Sequence, residues 1–190
     1  MIGTSVFDSS GMAVAPDTGL LAYICGSKVV LVDPASAAAA KRQTILSNPR
    51  NIPLRALAFA PDKSPILVVG EMNARNCNIL HWELPPPASC PNPNAPKGPA
   101  LQLETDFKSI EYLGFAPDRI IVVYGMVAGE SHEIALYRDD TCIAKAGIDS
   151  PLSGVHQESS EGAPIAVATV GYNYVAFWTL QQEKGYTREV

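Results

Sequence analysis

The sequence carries little charge and no excess of basic residues. Lys and Arg together number 14 against 19 Asp and Glu, which gives a net charge of −5 at pH 7. Nucleic acids and anionic membranes attract proteins through positive charge, so this balance argues against both as partners. No apolar run approaches the ~18–20 residues of a membrane span, and the N-terminus lacks a basic stretch followed by an apolar segment. We therefore expect a cytoplasmic protein that makes no membrane contact.

Cysteine and histidine are scarce and scattered. The 4 cysteines include no Cys-x-x-Cys pair, and His81, His132 and His156 lie far apart among the 3 histidines. Zinc sites need more closely spaced ligands, so we predict reduced thiols, no metal and no cofactor.

Motifs for nucleophilic catalysis and phosphate binding are missing as well. The sequence has no Gly-x-Ser-x-Gly elbow, and residues 131–133 (Ser-His-Glu) match part of a catalytic triad by their letters alone. Gly125 and Gly129 are not followed by the Lys-Ser/Thr pair that holds phosphate in a P-loop. We predict no catalytic residues and no enzymatic activity.

What the sequence does contain is a repeat. The tripeptide Ala-Pro-Asp occurs at residues 15–17, 60–62 and 116–118, each time between a short alternating stretch and an apolar run. Pro presets a turn, Asp stabilises it, and alternation is typical of strands, so each copy predicts a β-hairpin. A third strand follows each hairpin, and residues 165–180 form a fourth copy without the tripeptide. The spacing of the copies is close to the roughly 40–45 residues of a four-stranded propeller blade.

Two stretches carry a resemblance to a known family. Residues 10–34 resemble the first blade of the mitogen-activated-kinase-binding WD-repeat scaffolds, and residues 167–180 contain the pattern T-x-G-x-x-x-x-x-F-W. This pattern is similar to blade endings in those scaffolds, in echinoderm microtubule-associated-protein-like proteins and in several flagellar WD-repeat proteins. The sequence departs from the general pattern, because no blade contains Trp-Asp or opens with Gly-His.

The resemblance implies an all-β fold, namely a β-propeller of WD-repeat type with about three and a half to four blades. We predict one partial domain over residues 1–190, with blades at about 9–48, 52–106, 109–147 and 150–190. Propellers close with typically 4–8 blades. We therefore expect an incomplete propeller that either belongs to a longer chain, which we favour, or completes its ring with another molecule. Residues 5–7 are a candidate outer strand for the last blade of such a ring.

Aromatic residues recur at similar places in successive blades. We predict that they pack between neighbouring blades and form the core, where burial of large rings contributes most. The predicted set is Phe59, Trp82, Phe115, Tyr137, Phe177 and Trp178.

Two loops that follow second strands are longer than a minimal hairpin, and they should lie on one face of the disc. We predict a docking surface there, with the candidate residues Glu71, Asn73, Arg75, Glu130 and His132. A proline-rich loop at 85–99 would be extended, and Pro93 and Pro96 belong to P-x-x-P patterns that suit a proline-reading domain. The simpler interpretation of this loop is an insertion without a partner.

Two classes of function remain open. The first is a non-catalytic protein-interaction scaffold, and the resemblance implies a microtubule-associated setting in the cytoskeleton, a cilium or a flagellum. Its partners would be other scaffold or microtubule-associated proteins, or the remainder of its own propeller. The alternatives are a propeller-type enzyme or small-molecule-binding domain, or a kinase-signalling scaffold unrelated to microtubules. An enzyme would need reactive groups on the innermost strands, where residues such as Met12, Ala56 and Leu113 are inert.

Overall fold

Antiparallel strands make up most of the described part of the chain. The computed structural model describes residues 11–35, 43–61, 66–72, 74–84, 98–149, 152–157, 166–171, 174–181 and 185–189. The strands are β1 (Met12–Val14), β2 (Leu21–Cys25), β3 (Lys28–Val32), β4 (Gln43–Ser47), β5 (Leu54–Phe59), β6 (Ile66–Glu71), β7 (Asn78–Glu83), β8 (Leu101–Glu104), β9 (Ser109–Phe115), β10 (Ile121–Met126), β11 (His132–Arg138), β12 (Thr141–Ile148), β13 (Leu152–Gln157), β14 (Ala166–Gly171), β15 (Tyr174–Gln181) and β16 (Gly185–Glu189). Asn73, Pro93, Pro96 and the predicted outer strand at 5–7 lie outside the described residues.

Each sheet is a meander of four consecutive strands. The sheets contain β1–β4, β5–β8, β9–β12 and β13–β16, and neighbours in sequence are neighbours in the sheet. The first strands of successive sheets contact one another, β1 with β5, β5 with β9 and β9 with β13. This is the arrangement of propeller blades around an axis, so the prediction of an all-β propeller with about four blades is confirmed. Within the described residues the blades form an arc that does not close into a ring.

Three apolar clusters lie between successive blades. Leu31 and Trp82 belong to the cluster between blades one and two, Ile110 and Phe115 to the next, and Trp178 to the one between blades three and four. Strand residues alternate between the two faces of a sheet, so a blade with neighbours on both sides needs apolar residues on both faces. This requirement explains the near-continuous apolar runs in the second strands, such as Ile66–Glu71 with its burial from Leu67 onward.

The Ala-Pro-Asp turns join the first and second strands, as the repeat predicts. In each turn the alanine N–H closes a loop by donating to a carbonyl near the start of the following strand. The pairs are Ala15 to the oxygen of Leu20 at 2.8 Å, Ala60 to that of Ile66 at 3.0 Å, and Ala116 to that of Ile120 at 2.8 Å. Asp118 in the third turn has a φ of 58°, a left-handed conformation that Asp tolerates better than most residues.

Candidate protein-interaction surfaces

The loops that follow second strands and the crossings between blades form one surface, which we call the loop face. Arg75 follows β6, Glu130 follows β10, and both are exposed. The N–H of Ala74 donates to the oxygen of Lys108 at 3.2 Å, and the N–H of Lys108 donates to the oxygen of Met126 at 2.8 Å. The crossing from blade two to blade three therefore ties the two loops together, and the candidate residues Arg75 and Glu130 lie on the same face.

Glu71 is not a docking residue, which corrects the prediction from the sequence. It is the last residue of β6 and its side chain is 0% exposed. One carboxylate oxygen, Oε1, accepts a hydrogen bond from Nδ2 of Asn48 at 2.7 Å. The other, Oε2, accepts from Nη1 of Arg50 at 3.0 Å and from the N–H of Asn78 at 2.7 Å. A buried carboxylate is tolerated when a cation and hydrogen bonds compensate it, and here they do.

This network fixes the crossing from blade one to blade two. Asn48 also donates to the oxygen of Ile52 at 2.9 Å, and its Oδ1 accepts from the N–H of Arg50 at 2.9 Å. The guanidinium of Arg50 reaches the oxygen of Asn76 at 3.3 Å in the loop that holds Arg75. The loop face at blades one and two is therefore held by Arg50 and Asn48, which both bind the buried carboxylate of Glu71.

His132 begins a strand and does not lie in a loop, which corrects a second prediction. Its ring stacks on Tyr124 with the centroids 5.5 Å apart and the planes at 16°. Its Nε2 lies 3.9 Å from a carboxylate oxygen of Glu111, and the side chain is half-buried. The hydroxyl of Tyr124 accepts a hydrogen bond from the N–H of Leu152 at 3.1 Å, so the ring under His132 also joins blade three to blade four.

Most of the predicted core aromatics face the preceding blade. We call this side of a sheet its rear face and the opposite side its forward face. Three of the aromatic residues occupy the same rear position in the third strands of blades two to four. Each pairs with the corresponding residue of the second strand: Trp82 with Leu67, Tyr137 with Ile121 and Trp178 with Val167. These three aromatic residues are buried. Phe59 and Phe115 are on the first strands, where they pair with Leu67 and Ile121 and so share the rear face. Phe115 is buried and Phe59 is half-buried.

Phe177 departs from this pattern. It pairs with Ala168 on the forward face of blade four and is 58% exposed. Adjacent residues of a strand point to opposite faces, so Phe177 and its neighbour Trp178 belong to different faces. The positions equivalent to Phe177 in the other blades are those of Leu31, His81 and Leu136. No described blade packs on the forward face of blade four. The prediction that Phe177 packs between two blades is therefore wrong for the described part of the chain.

The first and last blades each leave one apolar face open. The rear end face belongs to blade one and includes Met12, Val14, Leu21, Tyr23, Val30, Val32 and Ile45, and the register also places Lys28 and Gln43 on it. The forward end face belongs to blade four and includes Ala168, Val170, Val175, Phe177 and Thr179, and the register also places His156 and Glu189 on it. Val14 is 58% exposed and Val175 is 47% exposed. Contiguous exposed apolar patches on proteins mark interaction sites, so both end faces are candidate interfaces.

The two tryptophans differ in how their indole nitrogens are paired. Trp178 Nε1 donates to Oγ1 of Thr169 at 2.8 Å, whereas Trp82 Nε1 is buried without a hydrogen-bond partner in the described part of the chain. Val69 in blade two occupies the position of Thr169 in blade four. Blade two therefore lacks the hydroxyl that accepts a hydrogen bond from the tryptophan in blade four.

Replacing Val69 with threonine should stabilise the protein. The new hydroxyl would accept from Trp82 Nε1 as Thr169 does from Trp178, and satisfying a buried donor is worth on the order of 1 kcal/mol. For a chain of this size that corresponds to a rise in Tm of roughly 2–4 °C, which differential scanning calorimetry would resolve. Val123→Thr is the matched control, because it buries a hydroxyl at the equivalent place in blade three beside Tyr137. Equal destabilisation by both substitutions would contradict the prediction.

Three side chains with reactive groups lie together on blade three. Tyr137, Cys142 and Lys145 line a groove on blade three, and Lys145 Nζ lies 3.6 Å from a carboxylate oxygen of Asp106. Burial raises the pKa of the Tyr137 phenol and the pKa of the Cys142 thiol, so neither is ionised at neutral pH. The described residues include no cluster of three or more His, Cys, Asp or Glu side chains suited to a metal ion. They also include no helix of the length and apolarity that a membrane span requires.

Comparison with known proteins connects the blades to WD repeats. No known family model matches the chain. It is 36% identical over 84 residues to WD repeat-containing protein 62 of Sus scrofa, a match that covers 44% of this chain and 5% of that protein. It is 34% identical over 84 residues to the Mus musculus protein of the same name, with the same coverage. The chain thus spans a small fraction of the length of these relatives. Together with the four antiparallel sheets, the similarity supports blades of the WD-repeat type.

Proposed function

We propose that this chain is part of a non-catalytic protein-interaction scaffold in a microtubule-associated assembly of the cytoskeleton, a cilium or a flagellum. The loop face carries the proposal, because the exposed Arg75 and Glu130 project from loops that hydrogen bonds hold on a stack of sheets. A preorganised surface loses little conformational entropy when a partner binds. The resemblance to microtubule-associated and flagellar WD-repeat proteins supports the setting, and it implies a cytoplasmic location.

A kinase-signalling scaffold is the second candidate. The resemblance of the first blade to the mitogen-activated-kinase-binding scaffolds favours it, and the same loop face would serve. The two candidates differ in the partner, so an experiment with microtubules separates them.

Co-sedimentation with microtubules tests the proposal. The chain has a net charge of −5 and the microtubule surface is also acidic, so we expect the chain to stay in the supernatant with purified microtubules. With microtubules that retain their associated proteins, we expect most of the chain to pellet. Failure to pellet under both conditions would remove the microtubule setting and leave kinase signalling as the candidate.

Matched charge reversals locate the docking surface. Arg75→Glu on the loop face should raise the apparent Kd for pelleting by about five- to thirtyfold, since losing an important interface contact costs about 1–2 kcal/mol. Arg138→Glu makes the same change in net charge at the opposite end of the strands, where Arg138 is exposed at the end of β11, and should have little effect. Equal losses for the two variants would show that bulk charge governs binding and not the loop face.

A further inference from the structure

Three cations from three segments meet on the loop between β6 and β7. Arg75 lies in this loop, and the carbonyl oxygen of Asn76 accepts hydrogen bonds at 3.3 Å from Nη1 and Nη2 of Arg50 in the crossing before blade two. On the other side, the N–H of Ala74 donates to the oxygen of Lys108 at 3.2 Å in the crossing before blade three. Arg75 therefore stands between Arg50 and Lys108, and we call these three residues the cation site.

The charges of the cation site remain available to a ligand. Arg75 and Lys108 are exposed, and neither is paired with a carboxylate of the described residues. Arg50 binds the buried Glu71, but a guanidinium has five N–H donors and this side chain is 37% exposed. Like charges that are held close together repel one another, and a carboxylate placed among them would relieve the repulsion. The site thus favours an anionic ligand.

Two exposed carboxylates near the cation site lie toward the rim of the arc. The crossing before blade three runs from β8, the outermost strand of blade two, to β9, the innermost strand of blade three. Glu104 ends β8 and accepts from Nδ2 of Asn76 at 2.7 Å, whereas Lys108 immediately precedes β9. Between them Asp106 is paired with Nζ of Lys145 at 3.6 Å. An anion can therefore approach the cation site from the axial side, away from both carboxylates.

Blade three carries the opposite charge on the same face. Glu130, Glu133 and Asp149 line one hollow at its loop end, and a carboxylate oxygen of Glu111 lies 3.9 Å from Nε2 of His132. A long polyanion such as a nucleic acid would be repelled here, and the net charge of −5 opposes it as well. A short acidic segment can occupy the cation site without reaching blade three.

We propose that the cation site binds a short acidic segment of a protein partner, whose Asp or Glu carboxylates pair with Arg50, Arg75 and Lys108. The inference rests on the proposed function, because it names the chemistry that the loop face recognises. Arginine can bind a carboxylate through two parallel hydrogen bonds, which fixes the orientation of the contact. The site is small, so the net charge of the chain still opposes a surface as extended and acidic as that of a microtubule.

Fluorescence anisotropy with labelled peptides tests this recognition on the whole chain. A peptide that alternates glutamate with serine presents its carboxylates along one side when it is extended, and matched glutamine and lysine peptides are the comparison. We expect the glutamate peptide to bind at least about tenfold more tightly than either of the others. Added salt should weaken its binding, because ions screen charges at an exposed site.

Charge reversals assign the binding to the cation site. Arg75→Glu and Lys108→Glu should each raise the Kd of the glutamate peptide by about tenfold, because each places a carboxylate against the ligand. Both side chains are exposed, so the variants should fold. Arg138→Glu makes the same change in net charge at the opposite end of the strands and should change the Kd by less than about twofold.

The proposal is wrong if the glutamate and glutamine peptides bind alike, or if Arg75→Glu and Arg138→Glu lose equal affinity. Tighter binding of a single-stranded oligonucleotide than of the glutamate peptide would also overturn it and would assign the site to nucleic acid. If the chain binds the glutamate peptide but pellets with neither microtubule preparation, only the microtubule setting fails. Pelleting that depends on Arg75 without peptide binding would keep the docking surface and refute the acidic partner.

Discussion

Replacing Trp178 with alanine should unfold blade four and leave the first blades folded. Trp178 is 3% exposed and lies in the cluster with Leu136 and Val167 between blades three and four. The substitution leaves a large cavity and removes the hydrogen bond from Nε1 to Thr169, for a cost of about 3–5 kcal/mol. Stacked repeats depend mainly on their nearest neighbours, so the loss should stay near the end of the arc.

Hydrogen exchange read by mass spectrometry would locate this loss. We expect amides of β13–β15 to lose protection by at least about 100-fold, while those of β2 and β3 keep theirs. Trp82 would remain the single tryptophan and would report on blade two by fluorescence. Phe177→Leu, on the exposed face of the same strand, is the matched control and should change stability by less than about 0.5 kcal/mol. Unchanged protection in the Trp178→Ala variant would count against the assignment of this strand to a packed blade.

Replacing Glu71 with alanine should destabilise the crossing between blades one and two. The Asn78 N–H would lose its acceptor, and Arg50 and Asn48 would each lose the carboxylate while keeping a carbonyl acceptor. The Arg50 side chain is 37% exposed, so water compensates part of the lost ion pair. The Asn78 N–H would stay buried without an acceptor, which costs about 1–3 kcal/mol. We expect the urea midpoint to fall steeply and the exchange protection of β4 and β5 to fall with it.

Two further variants separate the charge from the packing. Arg50→Met combined with Glu71→Leu removes the whole ion pair and should recover part of the stability, since apolar replacement of a buried pair is often neutral. Glu104→Gln is the control for an exposed carboxylate, because the hydrogen bond that Glu104 accepts from Asn76 at 2.7 Å is exposed. A Glu71→Ala variant as stable as Glu104→Gln would show that the network contributes nothing to the blade-one crossing.

The local pattern of the sequence was sufficient to predict the strands and their turns. Ala-Pro-Asp at residues 15–17, 60–62 and 116–118 marks hairpins because Pro and Asp act within a few residues of the chain. The hydrogen bond between Trp178 and Thr169 could also be predicted from the sequence, since both residues belong to the T-x-G-x-x-x-x-x-F-W pattern. Interactions of this range depend on the spacing in one hairpin, which the sequence displays directly.

The predicted positions of Phe177 and Glu71 were wrong because they depend on register and on distant partners. Phe177 and Trp178 are equally apolar, and only the pairing of Val167 with Trp178 shows which of them faces blade three. The sequence predicts Glu71 as a docking residue because it stands where the apolar run of β6 gives way to a polar loop. Its partners Asn48 and Arg50 lie in the preceding crossing. Polar residues in such a segment do not by themselves indicate a contact with a buried carboxylate. Side-chain networks between blades thus require the fold before they can be recognised.

The meander order of each sheet has a consequence for how the chain folds during synthesis. Every strand pairs with the strand made just before it, so the contacts within a blade have low contact order. The strands of blade one, from Met12 to Ser47, can therefore assemble on the ribosome before the last residues of blade two have been translated. Each new blade can then pack its rear face on the forward face of the blade that has already folded. Translation itself would build this arc from its N-terminus, one blade at a time.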